Sequence, residues 1–310
     1  SVMGIAVRQT AREPVVASAA MAKHIDVIEA RSEGKTAVMS TGFEKLDYML
    51  NGGLKRSDMI VIGARPSMGK TALSLNIAAN VAKHRKVLFL SQEMGTGQIL
   101  DRLTASLGKV ELSAILKGEM TQQQWNGYTT ACAAIESIKL FIDEQGGLTI
   151  NDVRIKARKI KQQYGLDLLV LDYLQLMNGE GTNRNAQIEE ISRGLKNLAK
   201  ELDIAVIVLS QLNREADKRP GRRPAMSDLR DSGSIEQDAD VVIFIYRDDV
   251  VNPESHLKGF ADLIIAKNRQ GRIGDVLLTY CGEYTLFEST TQPRPKGPHN
   301  TKRKGLAEHL

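Results

Sequence analysis

The chain has 310 residues, 42% hydrophobic and 25% charged, with a formal net charge of +5. That suits a globular protein with room for a large core, and no apolar stretch nears the ~18 residues of a membrane span. Cys132 and Cys281 lack C-x-x-C spacing and read as structural thiols in a reducing compartment rather than as a zinc site or disulfide; with no apolar signal region at the N-terminus, the expected location is the cytoplasm.

The charge is unevenly spread. Residues 291–310 hold Arg294, Lys296, Lys302, Arg303 and Lys304 against Glu308, which is most of the excess, so the body is nearly neutral. Global charge therefore says little about partners, and local clusters carry the information.

In chain order, "VASAAMAKHIDVIEAR" (16–31) spaces Met21, Ile25 and Ile28 along one helical face that must be buried on something. The chain starts at Ser1, which suggests processing or excision from a longer chain. A short helix over 43–50 follows, with Ser40 or Thr41 as its start signal. From Met59 onward, continuous apolar runs alternate with helical stretches: 59–64, 86–93, 166–172, 204–211 and 239–247. Runs without alternation fit strands covered on both faces, so the expected architecture is a mostly parallel α/β sheet with helices on each side. Residues 261–288 carry turn signals and no helical period, which predicts antiparallel strands at one edge. The expected organisation is a linker segment over 1–33, a main α/β domain over 34–290 and a basic disordered tail over 291–310.

"GARPSMGKT" (63–71) matches G-x-x-x-x-G-K-[ST] between an apolar strand and a helix, the context the motif requires. Gly63, Ser67, Met68, Gly69, Lys70 and Thr71 are the expected nucleotide-binding residues. Backbone N–H groups would wrap phosphates, Lys70 would reach the β- and γ-phosphates, and Thr71 would hold Mg²⁺. Asp172 closes "LDLLVLD" as either a second Mg²⁺ contact or a cap on the next turn. Glu93 and Gln211 also end strands; a carboxylate there can activate water and an amide can sense the γ-phosphate. After Gln211 comes a basic stretch rich in Pro and Gly, including Arg214, Lys218, Arg219, Arg222, Arg223 and Arg230. Alone, it would read as a solvated loop.

Together these motifs resemble the ATPase domain of the DnaB-type replicative DNA helicases, a RecA-like P-loop fold. The resemblance runs from about Ser32 to Phe287 on "GARPSMGKT", "LSQEM", "VLDYLQLM", "ISRGLKNLAKELDIAVIVLSQLNR", "SDLRDSGSIEQDADVVIFIYRDD" and "IIAKNRQGRIG". It implies ATP and Mg²⁺ as cofactors, Glu93 as catalytic base, Asp172 with Thr71 at the metal and Gln211 as sensor. It further implies that Lys267 and Arg269 reach the γ-phosphate of a neighbouring subunit's nucleotide. Arg230, Asp231 and Gly233 would contact single-stranded DNA in the channel of a ring, likened to a hexamer.

A helicase loader or primase is a further partner implied by the family. Only about 30 residues precede the ATPase region, so primase binding through an N-terminal collar is not expected from this stretch. The implied activity is 5′-to-3′ translocation and unwinding. Two other readings stay open: an ATP-switched strand-binding protein without processive movement, and a phosphotransferase. Gln92 stands where the family usually has Leu.

Overall fold

The computed structural model describes residues 14–33, 38–213 and 223–295. The chain divides into a unit spanning Ser1–Ala37 and a larger one spanning Val38–Leu310. In the first, α1 (Ala17–Ser32) leaves Met21, Ile25 and Ile28 exposed.

The larger unit is built on a nine-stranded sheet. Five expected strands form near the positions their apolar runs mark: β1 (Met59–Ala64), β2 (Val87–Ser91), β4 (Leu168–Asp172), β5 (Ala205–Gln211) and β6 (Val241–Tyr246). A sixth, β3 (Leu140–Asp143), escaped sequence reading. It is a half-buried edge strand of four residues, too short to show a period. The order is β3-β2-β4-β5-β1-β6-β7-β8-β9, with β1 to β6 parallel. β7 (Phe260–Asn268), β8 (Gly274–Cys281) and β9 (Leu286–Ser289) close one edge antiparallel, as expected.

Continuous apolarity has the expected cause. Ile60, Ile62, Val87 and Phe89 belong to one core cluster, with Leu73 and Ile77 of α3 (Lys70–Ala82). Met59, Val61, Leu88 and Leu90 point the other way, into a second cluster with Val153 of α7 (Ile150–Tyr164) and Leu195 and Leu198 of α8 (Arg184–Leu202). Successive side chains face opposite sides of the sheet, and both sides are covered.

Local details differ from the expectation. The short helix α2 (Glu44–Met49) has Phe43 as N-cap without a side-chain cap bond. Ser40 and Thr41 instead donate their hydroxyls to Asp47, at 2.6 and 2.7 Å. Between α3 and α7 the chain forms β2 and β3 together with α4 (Thr96–Gly108), α5 (Leu112–Lys117) and α6 (Gln122–Ser137). At the start of the basic tail, Arg294 is paired with buried Asp262. No helix among the described residues is long and apolar enough to cross a membrane.

Candidate nucleotide site and nucleic-acid segment

The polar strand ends gather because the parallel strands stop almost level. In register, Ala64 lies beside Gln211, Ser91 beside Asp172 and Leu171 beside Val208. The loop after β1 therefore opens at the same edge as the ends of β2, β4 and β5, the usual ligand edge of such sheets. A cleft of about 430 Å³ lies there, and Ser67, Gly69, Lys70, Thr71, Glu93 and Gln211 all line it. Glu93 falls two residues beyond the end of β2, and both it and Gln211 are solvent-exposed.

Gly63 and Met68 are not among the residues that line the cleft. Met68 is buried in the core beneath the loop. Gly63 lies within β1, where a Cβ would come 2.8 Å from the Phe244 ring, so its role there is close packing. Gly69 is constrained twice. It is the left-handed N-cap of α3, with φ of 93°, and a Cβ would meet the Phe287 ring at 2.9 Å. Ser67 also has positive φ, and such alternation turns successive N–H groups into an anion-binding concavity at a helix N-terminus.

Beneath the loop, Thr71 Oγ1 donates to Asp172 Oδ2 at 2.7 Å. Lys70 Nζ stands 3.8 Å from Asp172 Oδ1 and 3.9 Å from the centre of the Tyr173 ring. Asp172 is fully buried, and its Oδ1 has no hydrogen-bond partner among the described residues. Burial pushes its carboxyl above the usual range, opposed by Lys70 and the Thr71 bond. Burial likewise lowers Lys70, opposed by Asp172 and Glu93. A hydroxyl and a carboxylate with a spare buried oxygen are hard donors that suit Mg²⁺. The fit rests on this pair; the described residues contain no cluster of three or more His, Cys, Asp or Glu that could hold a metal.

Sequence reading missed the groups that brace this edge. Gln92, whose role it left open, donates its side-chain amide to Tyr173 O at 3.1 Å, accepts from Leu148 N–H at 3.0 Å, and donates its backbone N–H to Asp172 O at 2.8 Å. It ties the end of β2 to the residues around Asp172. Gln175 clasps the end of β5, accepting from Gln211 N–H and donating to Gln211 O, both at 3.1 Å. Tyr280 and Arg102 also line the cleft, and the Arg247 guanidinium lies 4.3 Å over the Tyr280 ring. Tyr173 had a signal in its place beside Asp172; Tyr280 and Arg247 had none.

Lys267 and Arg269 lie elsewhere. β7 runs antiparallel to β6, pairing Asn268 with Val241 and Leu263 with Ile245, while Ile245 pairs with Ala64. This puts Lys267 about 13 Å of strand from the phosphate-loop edge and Arg269 further still, and neither lines the cleft. Lys267 Nζ donates to Glu236 O at 2.5 Å.

The side chains of Arg230 and Asp231 lie outside the described residues, as do residues 214–222. The backbone of Met226–Ser232 forms a 3₁₀ helix leading into α9 (Gly233–Asp238), and Gly233 is exposed. Arg223 is tied to the sheet instead of standing free, contacting Asp262 at 2.9 Å and Asp275 at 2.5 Å. Two residues past Gln211, Asn213 N–H donates to Asp228 O at 3.2 Å.

The model of the DnaB-like helicase C-terminal domain matches residues 38–289. Over 260 residues the chain is 44% identical to the replicative DNA helicase DnaB of Geobacillus stearothermophilus and 42% identical to DnaC of Bacillus subtilis. It is 44% identical over 300 residues to DnaB of Pasteurella multocida, covering 93% of this chain and 64% of that one. In the first two relatives the match covers 82% of this chain but 57% of theirs. A solved ATPase domain covered along its whole length superposes on 90% of the chain with TM-score 0.85 and 36% identity. The structure of a DnaB-like replicative helicase and its interactions with primase gives 0.80 and 35%, covering 90% of this chain and 67% of that one. The α/β sheet is thus the RecA-like fold expected from the motifs, and the chain belongs to the DnaB-like helicase C-terminal domain family.

Proposed function

We propose that the chain is the motor of a replicative DNA helicase, hydrolysing ATP with Mg²⁺ and moving 5′ to 3′ along single-stranded DNA as a ring of copies, taken to be six. In this reading Lys70 holds the β- and γ-phosphates, and the loop N–H groups cradle them. Glu93 takes the proton of the attacking water, and Gln211 contacts the γ-phosphate. Thr71 and Asp172 hold Mg²⁺, which when bound neutralises phosphate charge. Lys267 and Arg269, remote from their own cleft, serve the nucleotide of the adjacent copy. The relatives' names support the replicative role, and the primase named with one solved neighbour makes primase, like a loader, a candidate partner. A cytoplasmic location belongs to the same reading.

One observation carries the coupling. Gln211 lines the cleft, and Asn213 is hydrogen-bonded to Asp228 in the segment that continues to Arg230 and Gly233. A shift at the γ-phosphate therefore has two residues of chain to cross before it moves the DNA-contacting segment. The test is ATPase stimulation by single-stranded DNA, followed by strand displacement on a forked duplex. Stimulation with displacement supports the motor. Stimulation without displacement favours an ATP-switched strand binder, and no stimulation removes DNA from the reading.

A further inference from the structure

Arg269 is held by a buried carboxylate with its own support. Asp240, just before β6, is 5% exposed. Its Oδ1 accepts from Arg269 Nη1 at 3.2 Å, and its carbonyl accepts from Arg269 N–H at 2.9 Å. Its Oδ2 is taken up by Met59 N–H at 2.8 Å and the Lys196 ammonium at 2.5 Å. Lys196, on α8 and also buried, donates further to Ser57 O at 2.8 Å. The other end of the guanidinium donates to Gln237 O of α9 at 2.6 Å. Even so, the Arg269 side chain keeps 48% exposure. It is fixed from behind and open in front.

A purely structural role for Asp240, tying β1 to α8, accounts for the two bonds on Oδ2. It leaves unexplained why Oδ1 is turned to a half-exposed guanidinium. A long arginine loses much rotamer freedom when ordered, and a misplacement of about 1 Å can cost roughly a hundredfold in rate. Orientation supplied in advance is therefore valuable for a cation that must meet a phosphate on another subunit.

We propose that Asp240, backed by Lys196, is the positioning residue for Arg269, setting the direction from which the guanidinium reaches the nucleotide of an adjacent copy. This rests on the reading that Arg269 acts in trans.

The experiment uses the full chain and mixes variants. Asp240→Asn should lower kcat roughly 10- to 100-fold while binding of a fluorescent ATP analogue stays near the parent's. Mixing Asp240→Asn with Lys70→Ala subunits should restore part of the ATPase. Such mixtures create interfaces joining an intact Lys70 to an undisturbed Arg269. Mixing Asp240→Asn with Arg269→Ala should restore none, since both damage the same element. A fold defect in Asp240→Asn would act within its own subunit and would not be rescued. If the single variant folds poorly, Lys196→Gln/Asp240→Asn removes both buried charges together and should behave the same way. A parent-like kcat overturns the proposal. So does failed rescue while Arg269→Ala plus Lys70→Ala recovers. If that control pair also fails in assemblies shown by native mass spectrometry to be mixed, the trans reading falls, and the proposal with it.

Discussion

Thr71 and Asp172 lie 101 residues apart, yet the Thr71 hydroxyl donates to the Asp172 carboxylate at 2.7 Å, with the second carboxylate oxygen buried and without a hydrogen-bond partner among the described residues. The bond joins the helix after the phosphate loop to the end of a strand two places away in the sheet. A carboxylate this buried is disfavoured in its charged form unless a cation compensates. Lys70 supplies part of that compensation, and a divalent ion would supply more.

Asp172→Asn keeps the shape of the side chain and removes the charge. The expected result is at least a hundredfold loss of Mg²⁺-dependent ATPase with a cooperative thermal transition retained. Isothermal titration of Mg²⁺ into the ATP-analogue complex should show weakened binding. Unchanged Mg²⁺ affinity would remove Asp172 from the metal.

Glu93→Ala should spare nucleotide binding and lower kcat by about 10²- to 10⁴-fold, the range for losing a general base. Lys70→Ala should weaken binding as well as turnover. Single-turnover hydrolysis beside analogue titration separates the two, and near-parental turnover in Glu93→Ala would show that the base lies elsewhere.

Gly69→Ala meets both a left-handed backbone and a ring at 2.9 Å. Nucleotide affinity should fall at least tenfold. Adding Phe287→Leu relieves the steric contact alone, so the double variant should recover affinity only in part. Full recovery would mean that backbone strain contributes nothing.

Arg230 and Arg223, in and near the proposed DNA segment, should separate in salt titrations. Arg230→Ala should flatten the slope of log K against log salt by about 0.7, one phosphate contact on a single strand, with no change in sequence preference. Arg223, already bound to Asp262 and Asp275, should leave the slope nearly unchanged when replaced by Ala. Fluorescence anisotropy at several salt concentrations decides, and equal slopes for parent and Arg230→Ala would remove Arg230 from the interface.

Tyr246 gives a signature at high pH. Burial and the bond to Asp248 push its hydroxyl up to about 12. An unfolded tyrosine ionises near 10, so between about 10 and about 12 the folded chain holds the extra proton. Stability from this group is therefore complete below pH 10 and declines as pH rises to about 12. Denaturant titrations should show a shallower alkaline decline in Tyr246→Phe than in the parent. Identical declines would contradict the shift.

Five of the six parallel strands and the phosphate loop were determined by sequence alone, because their signals are local; the short edge strand β3 was not. An apolar run such as 59–64 needs no partner to be recognised, and the glycine spacing of 63–71 defines its own turn. The position of Asp172 at a strand end was legible for the same reason. Tertiary structure decided what braces those elements. Gln92 meets Tyr173 and Leu148, Gln175 meets Gln211, and Asp240 meets Met59, Lys196 and Arg269. These partners are far apart in the chain and have no shared period, so their hydrogen bonds come into being only once the sheet order sets the strands side by side. The same holds for Arg223, which composition alone left in a solvated basic loop. Its partners Asp262 and Asp275 sit on β7 and β8, and only the antiparallel pairing of those strands brings two carboxylates within reach of one guanidinium.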